Sequence, residues 1–238
     1  MLRVDGVSKS FAGLQAVKEV TFEIQEGEMV GLIGPNGAGK TTLFNLISGF
    51  IRPDKGTIFF KEKDLRSRKP HEICRLGLTR TFQIVQPFKN LTLFENILIG
   101  ALNRHSSYTK AVSITNEIID LVGLTRAQKR YGLDLNIVES KKLEIAKALS
   151  TDPTLLLLDE IMAGLNPTEV QQVINLLMKL NRNGITLLVI EHNMRAIMSI
   201  SHRLIVLNYG VKIYEGPAEK ALKDSAVIDA YLGKEINA

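Results

Sequence analysis

A lysine and a threonine stand at the end of a glycine-rich segment whose residue types suit phosphate chemistry. The segment is Gly34-Pro35-Asn36-Gly37-Ala38-Gly39-Lys40-Thr41, and Thr42 continues it. Its glycines let the backbone curl so that successive N–H groups point at one anion, as they also do at a helix N-terminus. In this pattern Lys40 reaches the β- and γ-phosphates and the Thr41 hydroxyl ligates Mg²⁺. The segment predicts a nucleoside triphosphate site; the alternative is a glycine-rich turn that happens to carry a lysine.

The flanking residues place this segment between a strand and a helix. Residues 29–33 are apolar apart from one glycine, which is typical of a buried strand, and residues 42–47 begin a helical pattern. A strand before the loop and a helix after it are the setting that the phosphate-binding pattern requires.

Two adjacent carboxylates follow a second apolar run, residues 155–158. This signal is weak alone, because many core strands end in a polar turn. Beside a phosphate-binding loop, Asp159 is expected to hold the Mg²⁺ shell opposite Thr41. Glu160 is expected to polarise a water aimed at the γ-phosphate. The alternative for Glu160 is an ordinary surface carboxylate.

Strand and helix patterns succeed one another along the chain. Residues 2–24 alternate as strands do, and a strand pair is expected around the turn at residues 54–56. Thr92 and Glu95 are spaced for a capping box, at the start of a helical stretch that reaches about residue 150. After residue 154, apolar strands alternate with helices, which favours a parallel sheet covered on both faces.

These patterns predict a single α/β domain over residues 1–238. Its parts are a parallel-sheet core, an antiparallel β subdomain near the N-terminus and an inserted helical subdomain at about residues 85–152. The apolar runs are too short to span a bilayer, and the first residues show no signal segment. A lone cysteine, Cys74, fits a reducing compartment.

The composition is that of a globular protein, with 45% hydrophobic and 23% charged residues and a net charge of +5. The densest basic cluster, between residues 61 and 75, is interspersed with acids and lacks interleaved aromatic residues. A solvated hairpin edge explains it better than a nucleic-acid surface, so no nucleic-acid partner is expected. The four histidines show no metal-ligand spacing.

Together these motifs resemble the ATP-binding-cassette (ABC) ATPases, which are P-loop NTPases. Residues 78–83 resemble their glutamine loop, which implies that Gln83 contacts Mg²⁺ and senses a membrane partner. Residues 189–192 resemble their switch segment, which implies that His192 hydrogen-bonds the γ-phosphate. By itself, a histidine after an apolar strand is more often an ordinary surface residue.

The resemblance extends to two further features. Phe11 occupies the position where ABC ATPases carry an aromatic residue that stacks on adenine; core packing is the alternative. Residues 163–166 resemble the loop that crosses the interface between two ATPase subunits. The family's chemistry would be ATP hydrolysis, with Lys40, Glu160 and His192 as catalytic residues and Mg²⁺ as cofactor.

Several segments narrow the resemblance to the ATPases of branched-chain amino-acid importers. These are residues 79–83, 91–96, 163–167, 191–194, 209–216 and 230–233. The resemblance implies transmembrane permease subunits, an extracytoplasmic solute-binding protein acting through them, and a place at the cytoplasmic face of the cell membrane. The alternatives are a lipopolysaccharide-export ATPase and a non-transport cassette that acts on nucleic acid.

The chain departs from the family at Asn136-Ile137-Val138-Glu139, where members carry a Leu-Ser-Gly-Gly-Gln type signature that closes over the ATP of the other subunit. Asn136 can still cap a helix and offer a side-chain N–H to phosphate. Ile137 and Val138 bring β-branched side chains where glycines let the backbone approach, and Glu139 adds a negative charge. We therefore expect a heterodimer with a second ABC ATPase subunit; the alternative is a homodimer in which both sites work.

Overall fold

A computed structural model describes residues 1–83 and 86–232. The strands of this part of the chain are β1 Leu2–Phe11, β2 Leu14–Ile24, β3 Met29–Ile33, β4 Lys55–Phe60, β5 Lys63–Asp64, β6 Leu78–Arg80, β7 Leu155–Asp159, β8 Thr186–Ile190, β9 Arg203–Asn208 and β10 Val211–Pro217. Its helices are α1 Lys40–Ile47, α2 Pro70–Arg75, α3 Leu93–Arg104, α4 Tyr108–Leu121, α5 Ile137–Leu149, α6 Pro167–Arg182, α7 Met194–Ile200, α8 Ala218–Ala221 and α9 Ser225–Leu232. Val85, where the helical subdomain is predicted to begin, and Gly233 lie outside the described residues.

A six-stranded sheet in the order β10-β9-β3-β8-β7-β6 forms the core. All neighbouring strands are parallel except β9 and β10, which form an antiparallel hairpin. Leu32 of β3 and Asp159 of β7 both pair with Ile190 of β8, so these three residues lie in one row across the sheet. The predicted parallel-sheet core is confirmed, with one antiparallel strand added at its edge.

Side chains of β7 pack alternately on the two faces of this sheet. Leu156 and Leu158 belong to one buried cluster, and Leu155 and Leu157 belong to the other. Successive residues of a strand point to opposite faces, so a strand buried on both faces must be apolar throughout. This explains why β3, β7 and β8 are buried along their whole length.

A four-stranded antiparallel sheet, in the order β2-β1-β4-β5, confirms the predicted β subdomain. The predicted strand pair around residues 54–56 is wrong. β4 begins at Lys55 and pairs with β1 and β5, which buries Ile58 and Phe60. The Asp54 carboxylate accepts bonds from the Lys9 ammonium, at 2.7 Å, and from the Ser10 N–H, at 2.8 Å, instead of joining a strand.

Helices α3, α4 and α5 occupy the region predicted to be helical, and α3 packs against both of the others. The Thr92–Glu95 capping box at the start of α3 is confirmed, since the Thr92 hydroxyl accepts from the Glu95 N–H at 3.2 Å. No helix among residues 1–83 and 86–232 combines the length and the apolar character needed to cross a membrane.

The glycine-rich loop is fastened to two other segments. The Gly210 N–H, in the β9–β10 turn, donates to the Ala38 carbonyl at 3.0 Å, and the Lys18 N–H donates to the Gly210 carbonyl at 2.8 Å. Gly39 has a φ of +100°, and a Cβ there would lie 2.4 Å from the Ala16 carbonyl oxygen. Glycine at this position therefore permits both the left-handed backbone and the close approach of β2.

We expect Gly39→Ala to destabilise the nucleotide-free chain more than Gly37→Ala. Gly37 has a φ of +81°, but a Cβ there would meet no atom within 4 Å, so this control carries only the backbone strain, about 1–2 kcal/mol. Gly39→Ala must also displace the Ala16 backbone, which adds about 1–3 kcal/mol. Urea unfolding of both variants measures the difference, and equal losses would show that the loop does not depend on the contact with Ala16.

Candidate nucleotide-binding site

One open cavity of about 320 Å³ gathers most of the residues that the sequence singles out. The loop residues from Asn36 to Thr42 line it together with Glu160 and His192. The remaining lining residues are Leu14, Gln15, Ala16 and Tyr209. The row formed by β3, β8 and β7 explains this convergence, because the loop, the switch histidine and the acidic pair leave the sheet at the same edge.

The N-terminus of α1 faces this cavity and carries no side-chain cap. Helices α5, α6 and α7 each have an asparagine whose side chain accepts a bond from the first turn, whereas Gly39 at the start of α1 has no side chain to offer. The Lys40 ammonium is buried and donates to the carbonyls of Gly34, at 2.7 Å, and Pro35, at 3.0 Å. Positive charge and helix N–H groups at one place make an anion-binding site.

The Glu160 carboxylate is hydrogen-bonded to Gln83 and His192, two other residues that the sequence assigns to the site. Its Oε1 lies 2.6 Å from His192 Nε2, and its Oε2 accepts a bond of 2.6 Å from Gln83 Nε2. Glu160 has a φ of +49°, which is rare for a residue with a side chain and is found at functional sites where the surroundings fix the backbone. Its N–H donates to the Ile190 carbonyl at 3.0 Å, and its carbonyl accepts from the buried Lys141 ammonium at 3.2 Å.

Asp159 lies at the end of β7 with its carboxylate almost completely buried. Its Oδ2 pairs with Arg80 Nη2 at 2.9 Å, whereas its buried Oδ1 has no hydrogen-bond partner among the described residues. Burial raises the pKa of Asp159, and the neighbouring Arg80 charge opposes that rise. Asp159, Gln83 and Thr41 line a second cavity, of about 530 Å³, which meets the first at Thr41.

Glu191 is a buried side chain between β8 and the turn that follows Glu160. It is 3% exposed, and its Oε1 accepts a bond of 2.8 Å from the Met162 N–H. Burial raises the pKa of Glu191 from 4.5 to about 7, despite the backbone donors of Met162 and His192. Glu191 therefore ties the residue before His192 to the turn that follows Glu160.

The aromatic residue at the mouth of the cavity is Tyr209. Tyr209 lines the cavity from the β9–β10 turn, where its φ is +45° and its exposed fraction is 76%. Phe11 is 46% exposed, not packed in the core, and pairs with Leu14 at the end of the β1–β2 hairpin. Leu14 lines the cavity but Phe11 does not, so stacking of Phe11 on adenine stays a prediction.

The residues of the altered signature lie at the start of α5, where Asn136, Val138 and Glu139 line a separate cavity of about 530 Å³. The predicted cap is confirmed, because Asn136 Oδ1 accepts from the Glu139 N–H at 2.9 Å. In turn, Glu139 Oε2 accepts a bond from the Asn136 N–H, and Glu139 Oε1 pairs with Arg130 at 2.7 Å. Both carboxylate oxygens are therefore bound within their own chain. The half-exposed Ile137 packs against the loop after the acidic pair, since a Cβ on Gly164 would lie 3.2 Å from Ile137 Cδ1.

Comparison with known proteins identifies the family. The model of the family described as "ABC transporter" matches residues 17–163, more than half of the chain. The chain belongs to the ABC transporter family. It is therefore an ATP-binding and ATP-hydrolysing subunit of an ABC transporter.

Relatives of this ABC ATPase match over nearly its whole length. It is 38% identical to the high-affinity branched-chain amino acid transport ATP-binding protein LivG of Salmonella typhimurium and 37% identical to BraF, of the same description, from Pseudomonas aeruginosa; each match covers 98% of both chains. Among solved structures, the ADP conformation of MJ1267, an ATP-binding cassette of an ABC transporter, superposes with a TM-score of 0.88 at 31% identity over 98% of each chain. The predicted ABC ATPase fold is thereby confirmed.

Tyr209→Ala is expected to weaken binding of ATP to this ABC ATPase about three- to tenfold, because loss of one aromatic contact with the base is worth about 0.5–1.5 kcal/mol. Binding of inorganic tripolyphosphate, which has no base, should not change. Phe11→Ala provides the matched variant, because the family resemblance assigns adenine stacking to Phe11. Calorimetric titration of the two ligands checks this, and equal weakening for both would contradict a contact with the base.

Glu191→Gln is expected to make the stability of this ABC ATPase less dependent on pH. Below about pH 4.5, Glu191 is protonated in both states, but between 4.5 and about 7 the native state holds the extra proton, so stability falls as pH rises. Above pH 7, ionisation of Glu191 lowers the free energy of unfolding of the wild type by about 3 kcal/mol relative to its value below pH 4.5. Urea unfolding near both pH limits measures it, with the exposed Glu26→Gln as control for loss of charge. Parallel pH profiles for wild type and Glu191→Gln would contradict it.

Proposed function

We propose that this ATPase uses Glu160 as the base for ATP hydrolysis, with His192 and Lys40 as its catalytic partners. The observation that carries the proposal is the Glu160 carboxylate, which faces the loop cavity with Gln83 on one oxygen and His192 on the other, each at 2.6 Å. A carboxylate fixed by two hydrogen bonds beside a phosphate site can orient a water molecule and accept its proton. These bonds fix its direction before a substrate arrives.

The other residues around the loop support the substrate. The N–H groups at the start of α1 and the buried Lys40 ammonium offer a binding site for the phosphates. His192, at 2.6 Å from Glu160, is placed to donate to a γ-phosphate oxygen as charge develops there. Phe11 and Tyr209 are proposed to hold the base.

Residues near Asp159 fit a bound Mg²⁺. The buried Oδ1 of Asp159, without a hydrogen-bond partner among the described residues, is an oxygen that a hydrated cation would satisfy, and Thr41 and Gln83 line the same cavity. Mg²⁺ in such sites takes few protein oxygens and completes its shell with waters and phosphates. Bound there, Mg²⁺ would neutralise charge on the β- and γ-phosphates. Thr41, Gln83 and Asp159 are the proposed ligands, direct or through water.

A second ATPase subunit is proposed to close the site. The start of α5 does not line the loop cavity of its own chain, which supports closure over ATP held by a neighbouring subunit. In this chain the Asn136 side chain is used in its cap, and Ile137 and Val138 replace glycines. We infer a heterodimer in which a partner with an intact signature closes over Lys40, Asp159 and Glu160.

Import of branched-chain amino acids is the proposed transport process. Its support is the printed description of LivG and BraF, which match the chain from end to end. The ATPase would sit at the cytoplasmic face of the membrane, bound to permease subunits near Gln83. A solute-binding protein on the other side would deliver the amino acid to the permease. The ATPase itself contacts only nucleotide and protein, so its residues do not select the cargo.

Light scattering of the Glu160→Gln variant tests the closure by a partner. The variant should bind ATP without turnover and stay monomeric, because its own signature closes weakly. Restoring the signature in that background, with Asn136→Ser, Ile137→Gly, Val138→Gly and Glu139→Gln, should produce an ATP-dependent dimer. A dimer of the Glu160→Gln variant without the restored signature would contradict the heterodimer, and Lys40→Ala in the same background serves as the control without ATP binding.

A further inference from the structure

Arg80 is a buried cation that the proposed hydrolysis does not use. It is the last residue of the edge strand β6, and its side chain is 5% exposed. Its Nη2 pairs with Asp159 Oδ2 at 2.9 Å, its Nη1 donates to Asn45 Oδ1 at 2.5 Å, and its Nε donates to the Thr81 carbonyl at 3.3 Å. All three nitrogens of the guanidinium are therefore bound, and they join β6, β7 and α1.

The guanidinium also lies among three aromatic rings. Its Cζ is 4.9 Å from the ring centre of Phe82, 5.7 Å from Phe50 and 5.8 Å from Phe44. Phe50 and Phe82 meet edge to face at 5.6 Å, and they are 50% and 44% exposed. A planar guanidinium can stack on rings while its edge donates hydrogen bonds, which a lysine ammonium cannot do. These rings restrict where Arg80 can move.

The Arg80 bond leaves the two oxygens of Asp159 in different conditions. Oδ2 is occupied by the ion pair, whereas the buried Oδ1 has no partner among the described residues. The backbone of Asp159 is also held in place, since its N–H donates to Thr81 Oγ1 at 3.2 Å. Among the described residues, the Asp159 oxygen without any hydrogen-bond partner is thus the one proposed to meet the Mg²⁺ shell.

We propose that Arg80 is a positioning residue that holds Asp159 so that Oδ1 is presented to the Mg²⁺ of the bound nucleotide. Partners that orient a metal-binding group contribute to metal affinity without touching the metal. Arg80 thus acts through Asp159, and the Phe50–Phe82 pair keeps it in place. This inference rests on the proposed role of Asp159 and deepens it.

The rival explanation is a structural ion pair with no part in metal binding. A structural role predicts that loss of Arg80 weakens nucleotide binding equally with and without metal. Charge repulsion is a further alternative: the Arg80 cation repels Mg²⁺, so its removal would tighten metal binding. Comparing nucleotide binding with and without Mg²⁺ therefore distinguishes a positioning role from a structural ion pair and from charge repulsion.

The experiment follows binding of a non-hydrolysable fluorescent ATP analogue to the purified chain, first in chelator and then with increasing Mg²⁺. For Arg80→Met we expect the Mg²⁺ concentration at half-effect to rise about tenfold or more, with binding in chelator unchanged. Arg80→Lys, which keeps the charge and folds even if the methionine variant does not, should shift the same way by less. Mn²⁺ resonance spectra of the ternary complex provide a direct measure of the metal.

Two controls make the outcome specific. Arg66→Met removes an exposed arginine from a 2.6 Å ion pair with Asp64 and should leave the Mg²⁺ requirement unchanged. Asp159→Asn should raise the requirement at least as much as Arg80→Met. Unchanged or tighter metal binding in both Arg80 variants, or equal weakening with and without metal, would overturn the inference. If Asp159→Asn also has no effect, the proposed Mg²⁺ role of Asp159 fails with it.

Discussion

The site depends on the register of three parallel strands that are buried on both faces. Because β3, β7 and β8 are buried throughout and apolar between their end residues, polar groups occur only at the ends of these strands. Pairing of Leu32 and Asp159 with the same residue, Ile190, brings the three ends level. A slip of one residue in β7 would turn Asp159 to the other face of the sheet. Hydrophobic packing thus fixes the positions of the polar groups.

Placing charged groups at the end of an apolar sheet has an energetic cost, and each buried charge is compensated differently. Asp159 has Arg80, the Lys141 ammonium has the carbonyls of Gln83 and Glu160, and Glu191 holds its proton up to about pH 7 because burial raises its pKa. A buried charge without such partners would be strongly destabilising. The left-handed backbone of Glu160 adds strain at the same place. The strands around it, buried along their whole length, provide the rigid support that such strain requires.

Much of this arrangement could be predicted because its signals are local. The loop from Gly34 to Thr41 and the buried strands are continuous patterns that can be interpreted without the rest of the chain, and the acidic pair needs only the presence of that loop. Arg80 is different: it meets Asp159 across 79 positions, and nothing in its own neighbourhood indicates that contact. The position of Tyr209 at the nucleotide cavity likewise depends on the contact between the β9–β10 turn and the glycine-rich loop.

The part of Glu139 in the cap of α5 could have been predicted from the sequence itself, because Asn136 and Glu139 have the same spacing as Thr92 and Glu95. The failure at residues 54–56 has another origin. Choice of strand partner depends on which apolar faces can be buried together, and for β4 that partner is the distant β1.

Lys141 connects α5 to the backbone on both sides of the site. The lysine binds the carbonyls of Gln83 and Glu160, and it follows the capping residue Asn136 by only five positions, about 7.5 Å along a helix. A ligand that shifts the start of this helix would therefore also shift the backbone at Gln83 and Glu160. In the proposed closed pair of subunits, α5 would couple the binding of the two nucleotides. Each nucleotide would then alter the affinity for the other by the same factor, because such coupling is reciprocal.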